Sequence, residues 1–124
     1  MEKIKIQSYK NLIVWQKAMD LVDEVYKLTE QFPKSEFYVL TPQMRRSAIS
    51  VPSNIAEGSR RGSRKYYVQF LMIAFGSGAE LETQIEIAKR RRFDKELNFD
   101  KTDNLLLEVM KMLNKMIFTL RSQN

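Results

Sequence analysis

The sequence predicts an all-α protein, a single antiparallel up-down four-helix bundle over residues 1–124. Three observations carry that expectation. Apolar residues recur at three- and four-residue steps in four separate stretches, no stretch shows sustained strand-type alternation, and the connections are short enough to favour antiparallel neighbours. A chain of 124 residues is the size of one ordinary domain and needs no disulfide or metal to hold a core.

The first helix is expected over about residues 11–32. Trp15, Ala18, Met19, Val22, Val25, Tyr26 and Thr29 fall along one face, with Lys17, Asp20, Glu24, Lys27 and Gln31 mostly elsewhere. Phe32-Pro33 ends it, because the residue before a proline is pushed out of the α region. The second is expected over about 41–61. Thr41 supplies a hydroxyl N-cap, Pro42 takes the first helical position, and Met44, Ala48, Val51 and Ile55 form the apolar stripe. Gly58 and Gly62 mark its exit. Pro52 lies inside this pattern and frees the carbonyl of Ala48, so the helix is expected to kink or restart there.

Ser63 caps a third helix over about 63–92, lined by Tyr67, Phe70, Leu71, Ala74, Gly78, Leu81, Ile85 and Ala88. Its interior glycines, Gly76 and Gly78, cost roughly 1–2 kcal/mol relative to alanine. Close approach of another helix, such as the backbone around Pro52, would offset that cost. The fourth helix, about 101–122, runs through Leu105, Leu106, Val109, Met112, Leu113, Met116, Ile117 and Leu120. Leu107, Met110 and Phe118 fall partly off that stripe, leaving the helix apolar on more than one side. Such a helix is usually buried twice, the second time against another subunit.

Composition narrows function. The chain has neither histidine nor cysteine, which excludes disulfides, thiol nucleophiles, Cys- or His-ligated metals and a Ser-His-Asp triad. Glu82 and Glu86 are spaced as in a di-metal bundle, but those sites also need Glu-x-x-His, so no metal and no cofactor is expected. An enzyme is not expected, nor a histidine-dependent ribonuclease. The start of the chain carries no apolar stretch resembling a signal peptide, and the most apolar segment, Phe70 to Ala79, is about half a membrane span. A cytoplasmic protein with no membrane partner is the expectation.

The net charge is +6, from 21 Lys and Arg against 15 Asp and Glu. It is uneven. Residues 33–65 hold seven basic and two acidic side chains, for +5, while residues 1–32 and 94–124 each balance at five and five. Arg45, Arg46, Arg60, Arg61, Arg64 and Lys65 make a basic strip along the second helix and the turn beyond it. Guanidinium forks suit phosphate, so one reading is a nucleic-acid contact surface. The other is a solvated face, or Arg45 paired with Glu57 or with a neighbouring subunit. Arg90, Arg91 and Arg92 also have two readings, a phosphate contact or charges that favour a helix C-terminus by about 0.3–1 kcal/mol each. Asn54 is placed to answer a backbone group freed by Pro52, and Glu57 to pair with an arginine or a cap. Tyr67 and Phe70 belong to the core stripe, leaving Tyr66 free.

Several runs together resemble a known family. They are Leu12-Ile-Val-Trp15-Gln-Lys-Ala18, Phe32-Pro33 with Glu36, the long run from Gln43 through Arg45-Arg46 and Pro52-Ser-Asn54 to Glu57-Gly58, Phe70-Leu71, Gly76-Ser77, and Glu80-Leu81-Glu82-Thr83-Gln84. The pattern resembles the bacterial four-helix bundle family also called the 23S rRNA-intervening sequence proteins, related to the accessory variability protein of diversity-generating retroelements. Val39-Leu40 and Arg90-Arg91-Arg92 depart from it. The resemblance implies a homopentamer around a central channel, with no established enzyme activity. Its retroelement relatives imply binding to RNA or DNA and to a reverse transcriptase through basic surface. The function expected is a non-catalytic, homo-oligomeric accessory bundle that binds nucleic acid or a nucleic-acid enzyme. The alternative is a protein-interaction scaffold.

Overall fold

In a computed structural model, which describes residues 8–93 and 96–123, each of the four periodic stretches is a helix. They are α1 (Ile13–Thr29), α2 (Leu40–Arg60), α3 (Arg64–Arg91) and α4 (Asp100–Ser122), with 3-10 turns at Tyr9–Asn11 and Lys34–Glu36. The N-terminal segment in which no signal peptide is read lies outside the described residues. Packing runs round a ring: α1 meets α2 and α4, and α3 meets α2 and α4.

The core forms two tiers, and their membership fixes the helix directions. Leu21, Val25 and Leu28 of α1 share one tier with Leu40, Met44 and Ala48 of α2, Leu81, Ile85 and Ala88 of α3, and Leu106 of α4. Val14 and Ala18 share the other with Val51 and Ile55, Leu71 and Ala74, and Val109, Leu113 and Ile117. The late part of α1 meets the early part of α2, and the late part of α2 meets the early part of α3. The bundle is therefore antiparallel and up-down.

Local chemistry accounts for several helix ends. Ser63 caps α3, its Oγ accepting from Tyr66 N at 3.1 Å. Gly62 supplies the positive φ, +80°, that the three-residue turn between α2 and α3 needs. Asp100 and Asp103 lie in the first turn of α4, where carboxylates favour the positive helix end. The start of α2 differs from expectation. The helix begins at Leu40 after an N-cap at Val39 that makes no side-chain cap bond, and Thr41 is buried within the first turn. Pro42 remains tolerable because the first four N–H groups of a helix have no intrahelical partner.

Nor does α2 restart at Pro52. It runs as one helix from Leu40 to Arg60 with Pro52 buried inside it. Gly58 lies in the last turn of α2, where its carbonyl accepts from Arg61 N, and it also faces α3. A β-carbon there would stand 2.7 Å from Phe70 Cβ and 3.2 Å from Tyr67 Cδ1. Gly58 therefore allows the close approach of α3 to α2. In α3, Gly78 faces the Met110 side chain of α4, not the backbone around Pro52, and Gly76 faces open space.

These placements separate two substitutions of the same kind. Gly58→Ala pushes α3 away from α2 at a point where Phe70 cannot swing aside, and is expected to cost about 1–3 kcal/mol. Gly76→Ala meets nothing within 4 Å. It should stabilise by about 0.5–1 kcal/mol through the lower entropy of the unfolded chain. Urea unfolding of both variants beside the parent checks the opposite signs.

Candidate nucleic-acid interface

Antiparallel packing redistributes the basic strip. Fourteen residues separate Arg46 from Arg60, about 21 Å along a helix. The far end of α2 adjoins the start of α3, so Arg60, Arg61, Arg64 and Lys65 group at one pole. The start of α2 adjoins the end of α3, so Arg45 and Arg46 group with Arg90, Arg91 and Arg92 at the other. One strip in sequence becomes two poles in space.

Not all of these cations are available. Arg45 is partly buried, with its guanidinium 4.3 Å from the centre of the Tyr26 ring and its Nε donating to Thr29 Oγ1 at 2.9 Å. Thr29 in turn donates to the Val25 carbonyl at 2.7 Å. Arg45 thus ties α2 to α1. Glu57 pairs with Arg61 at 2.9 Å, one helical turn away, and not with Arg45. Arg61 also lies 4.9 Å from the Phe70 ring centre and 5.9 Å from that of Tyr66, while Arg60 covers Tyr9 at 5.3 Å. Tyr66 is exposed, as expected, but it is not free of a cation.

Among the described residues, Arg46, Arg64, Lys65, Arg90, Arg91 and Arg92 make no ion pair, hydrogen bond or ring contact, and all six are exposed. Their settings differ. Arg90 and Arg91 close α3, where cations complement the negative end of the helix dipole. Arg92 follows in the left-handed region at φ 51°, which any residue with a β-carbon adopts at a cost of about 1–2 kcal/mol. Arg64 and Lys65 open α3, and its first turn holds no carboxylate. Two cations at the positive end of a 28-residue helix oppose its dipole. Helix stability therefore accounts for Arg90 and Arg91 and leaves Arg64 and Lys65 unexplained.

The opposite face of the bundle shows what satisfied charge looks like. Between α1 and α4, Lys17 meets Glu108 at 3.2 Å, and Glu24 holds Lys101 at 3.2 Å and Lys27 at 3.4 Å. Burial by itself raises the pKa of Glu24, but the hydrogen bonds from Lys101 and Lys27 outweigh it and hold the carboxyl below its usual range. Lys89 donates to Asp103 at 2.7 Å, and that bond raises the lysine pKa. Partial burial raises the Tyr67 phenol.

Two further groups complete the sequence-predicted sites. Asn54 Nδ2 donates to the Ser50 carbonyl at 2.8 Å and to Ser50 Oγ at 2.9 Å, and Ser50 Oγ meets Ser77 Oγ at 2.8 Å. The asparagine therefore braces a hydroxyl link between α2 and α3 and does not reach the Ala48 carbonyl freed by Pro52. On α4, Leu107 is 53% exposed and Phe118 72%, whereas Met110 turns inward against Gly78 and the first core tier. Sequence reasoning missed the Ser50–Ser77 link, although Ser50 and Asn54 are one turn apart. It also missed Phe37 and Tyr38, whose rings meet edge-on at 4.8 Å. No helix among the described residues is long and apolar enough to cross a membrane.

The family model described as 23S rRNA-intervening sequence protein matches residues 10–115. A crystal structure of a protein of unknown function from the S23 ribosomal protein family of Bacteroides thetaiotaomicron is similar in fold, with a TM-score of 0.76 at 22% identity over 90% of this chain and 98% of that one. No curated protein matches the chain.

Proposed function

This chain belongs to the 23S rRNA-intervening sequence protein family, and we propose that it is a non-catalytic, cytoplasmic, homo-oligomeric bundle that binds RNA or DNA through phosphate contacts at its two basic poles. The observation that carries the reading is the pair Arg64 and Lys65, exposed, without a partner among the described residues, and set against the dipole of α3. Phosphate oxygens supply the negative charge that this helix start lacks. Binding by such contacts is indifferent to sequence and strongly dependent on salt. If four to six cations engage duplex DNA, the logarithm of affinity falls against the logarithm of salt with a slope between about −3.5 and −5.5. Equilibrium binding to RNA and DNA at rising salt tests this. Absence of binding at low salt overturns it.

Exposed Phe118 and Leu107 on the outer side of α4 support assembly with further copies, in the pentamer that the family resemblance implies. Oligomerisation multiplies weak contacts into avidity. Phe118→Glu places a charge on that side and is expected to shift the solution mass from oligomer to monomer, as read by light scattering. An unchanged mass moves the interface elsewhere.

A further inference from the structure

We propose that the pole at the start of α2 and the end of α3 favours single-stranded over duplex nucleic acid, by stacking a base on the Phe37–Tyr38 ring pair while arginines at the same pole hold the phosphates. This rests on the nucleic-acid reading above and narrows it to one class of ligand.

Phe37, Tyr38 and Val39 are consecutive and 59, 87 and 56% exposed. The segment is nonetheless held. Phe37 N donates to the Lys34 carbonyl at 3.0 Å and Val39 N to the Glu36 carbonyl at 3.1 Å. The two rings meet at an interplanar angle of 85°. An edge-on pair leaves both faces of one ring and one face of the other uncovered by the pair. Tyr38 is the freer ring and offers a flat apolar surface of the kind on which unpaired bases stack.

The fold carries this segment to the cationic pole. The Phe32 ring lies 5.0 Å from the Phe93 ring, and Phe32, Leu40 and Ala88 share one core tier, so the connection before α2 and the exit of α3 close the same end of the bundle. Arg46, Arg90, Arg91 and Arg92 reach solvent there without partners among the described residues, alongside the carboxylates of Glu30, Glu36, Glu80, Glu86 and Glu96, with Glu80 beside Arg46. At the other pole, the rings of Tyr9, Tyr66 and Phe70 each lie near a guanidinium. Arg60 covers Tyr9, and Arg61 lies over Tyr66 and Phe70. A duplex keeps its base faces stacked inside, so it can use arginines at either pole but cannot use Tyr38.

Fluorescence anisotropy of the full chain with labelled oligouridine and with an RNA duplex of equal length tests the inference. The chain is expected to bind oligouridine more tightly. Tyr38→Ala should weaken oligouridine on the order of 10-fold and leave the duplex unchanged, and Tyr38→Trp should restore or tighten it. Equal affinity for the two probes, with no effect of Tyr38→Ala, overturns the inference and leaves the phosphate reading standing. Absence of binding to both probes removes that reading and the inference with it. A change in solution mass on Tyr38→Ala also overturns the inference, because the ring would then be seated against another subunit.

Discussion

Leu81→Ala is expected to lower the unfolding free energy by about 2–5 kcal/mol. Leu81 is fully buried on α3, in the tier where Leu21 and Val25 of α1, Met44 and Ala48 of α2 and Leu106 of α4 converge. Truncation removes apolar surface from water-free packing and leaves a cavity that four helices must close together. Neighbours on all sides are themselves fixed, so collapse into the space is limited and the cost lies towards the upper part of the range. For a domain of this size, a loss of about 3 kcal/mol lowers the melting temperature by roughly 10 °C. Urea unfolding should show a lower midpoint with an unchanged slope. Protein concentration must be matched, since assembly adds to apparent stability.

The tier around Leu81 was legible in the sequence because periodicity reports burial directly. Met44, Ala48, Leu81, Ile85 and Ala88 fall on the predicted stripes and are buried in the structure. Start and stop signals were legible where a side chain makes the cap, as Ser63 does, and misleading where burial competes. Thr41 has the chemistry of a cap, yet its place beside Leu40 draws it into the packed first turn of α2.

Glycine roles were harder to assign. Gly58, Gly76 and Gly78 look alike in sequence, but only the packing of α3 on α2 and of α4 on α3 shows which of them a β-carbon would obstruct. Met110 could not be assigned from its angular position, because the space opposite Gly78 lets a flexible side chain turn inward. Charge followed the same pattern. The sequence places +5 in residues 33–65, and only antiparallel folding divides that excess between two ends and recruits Arg90, Arg91 and Arg92 to one of them. Which cations are engaged is a three-dimensional property: Tyr26 and Thr29, which hold Arg45, precede it by 19 and 16 residues.

The second large effect is expected from Arg64→Gln combined with Lys65→Gln. Removing two phosphate contacts should reduce the salt slope for duplex DNA by about 1.8 and lower affinity on the order of 50-fold near 0.1 M salt. Folding should not suffer, because both side chains are exposed and oppose the helix dipole they sit on. A small gain in stability is the expected sign. Replacing Arg45 or Arg61 would be less informative, since Arg45 braces α1 and Arg61 pairs with Glu57.

The proper control changes the same net charge on the satisfied face. Lys17→Gln with Lys101→Gln removes two cations that already meet Glu108 and Glu24, at a stability cost of about 0–1 kcal/mol per surface pair. Charges on a distant face are screened within about 10 Å at 0.1 M salt, so nucleic-acid affinity should change little, by about threefold at most. The decisive measurement is therefore the salt dependence of DNA binding for these two double variants side by side. A slope that falls by about 1.8 for Arg64→Gln/Lys65→Gln and stays at the parent value for Lys17→Gln/Lys101→Gln is the predicted result. Equal losses in the two variants would show that affinity follows net charge alone and would contradict the assignment of binding to the poles.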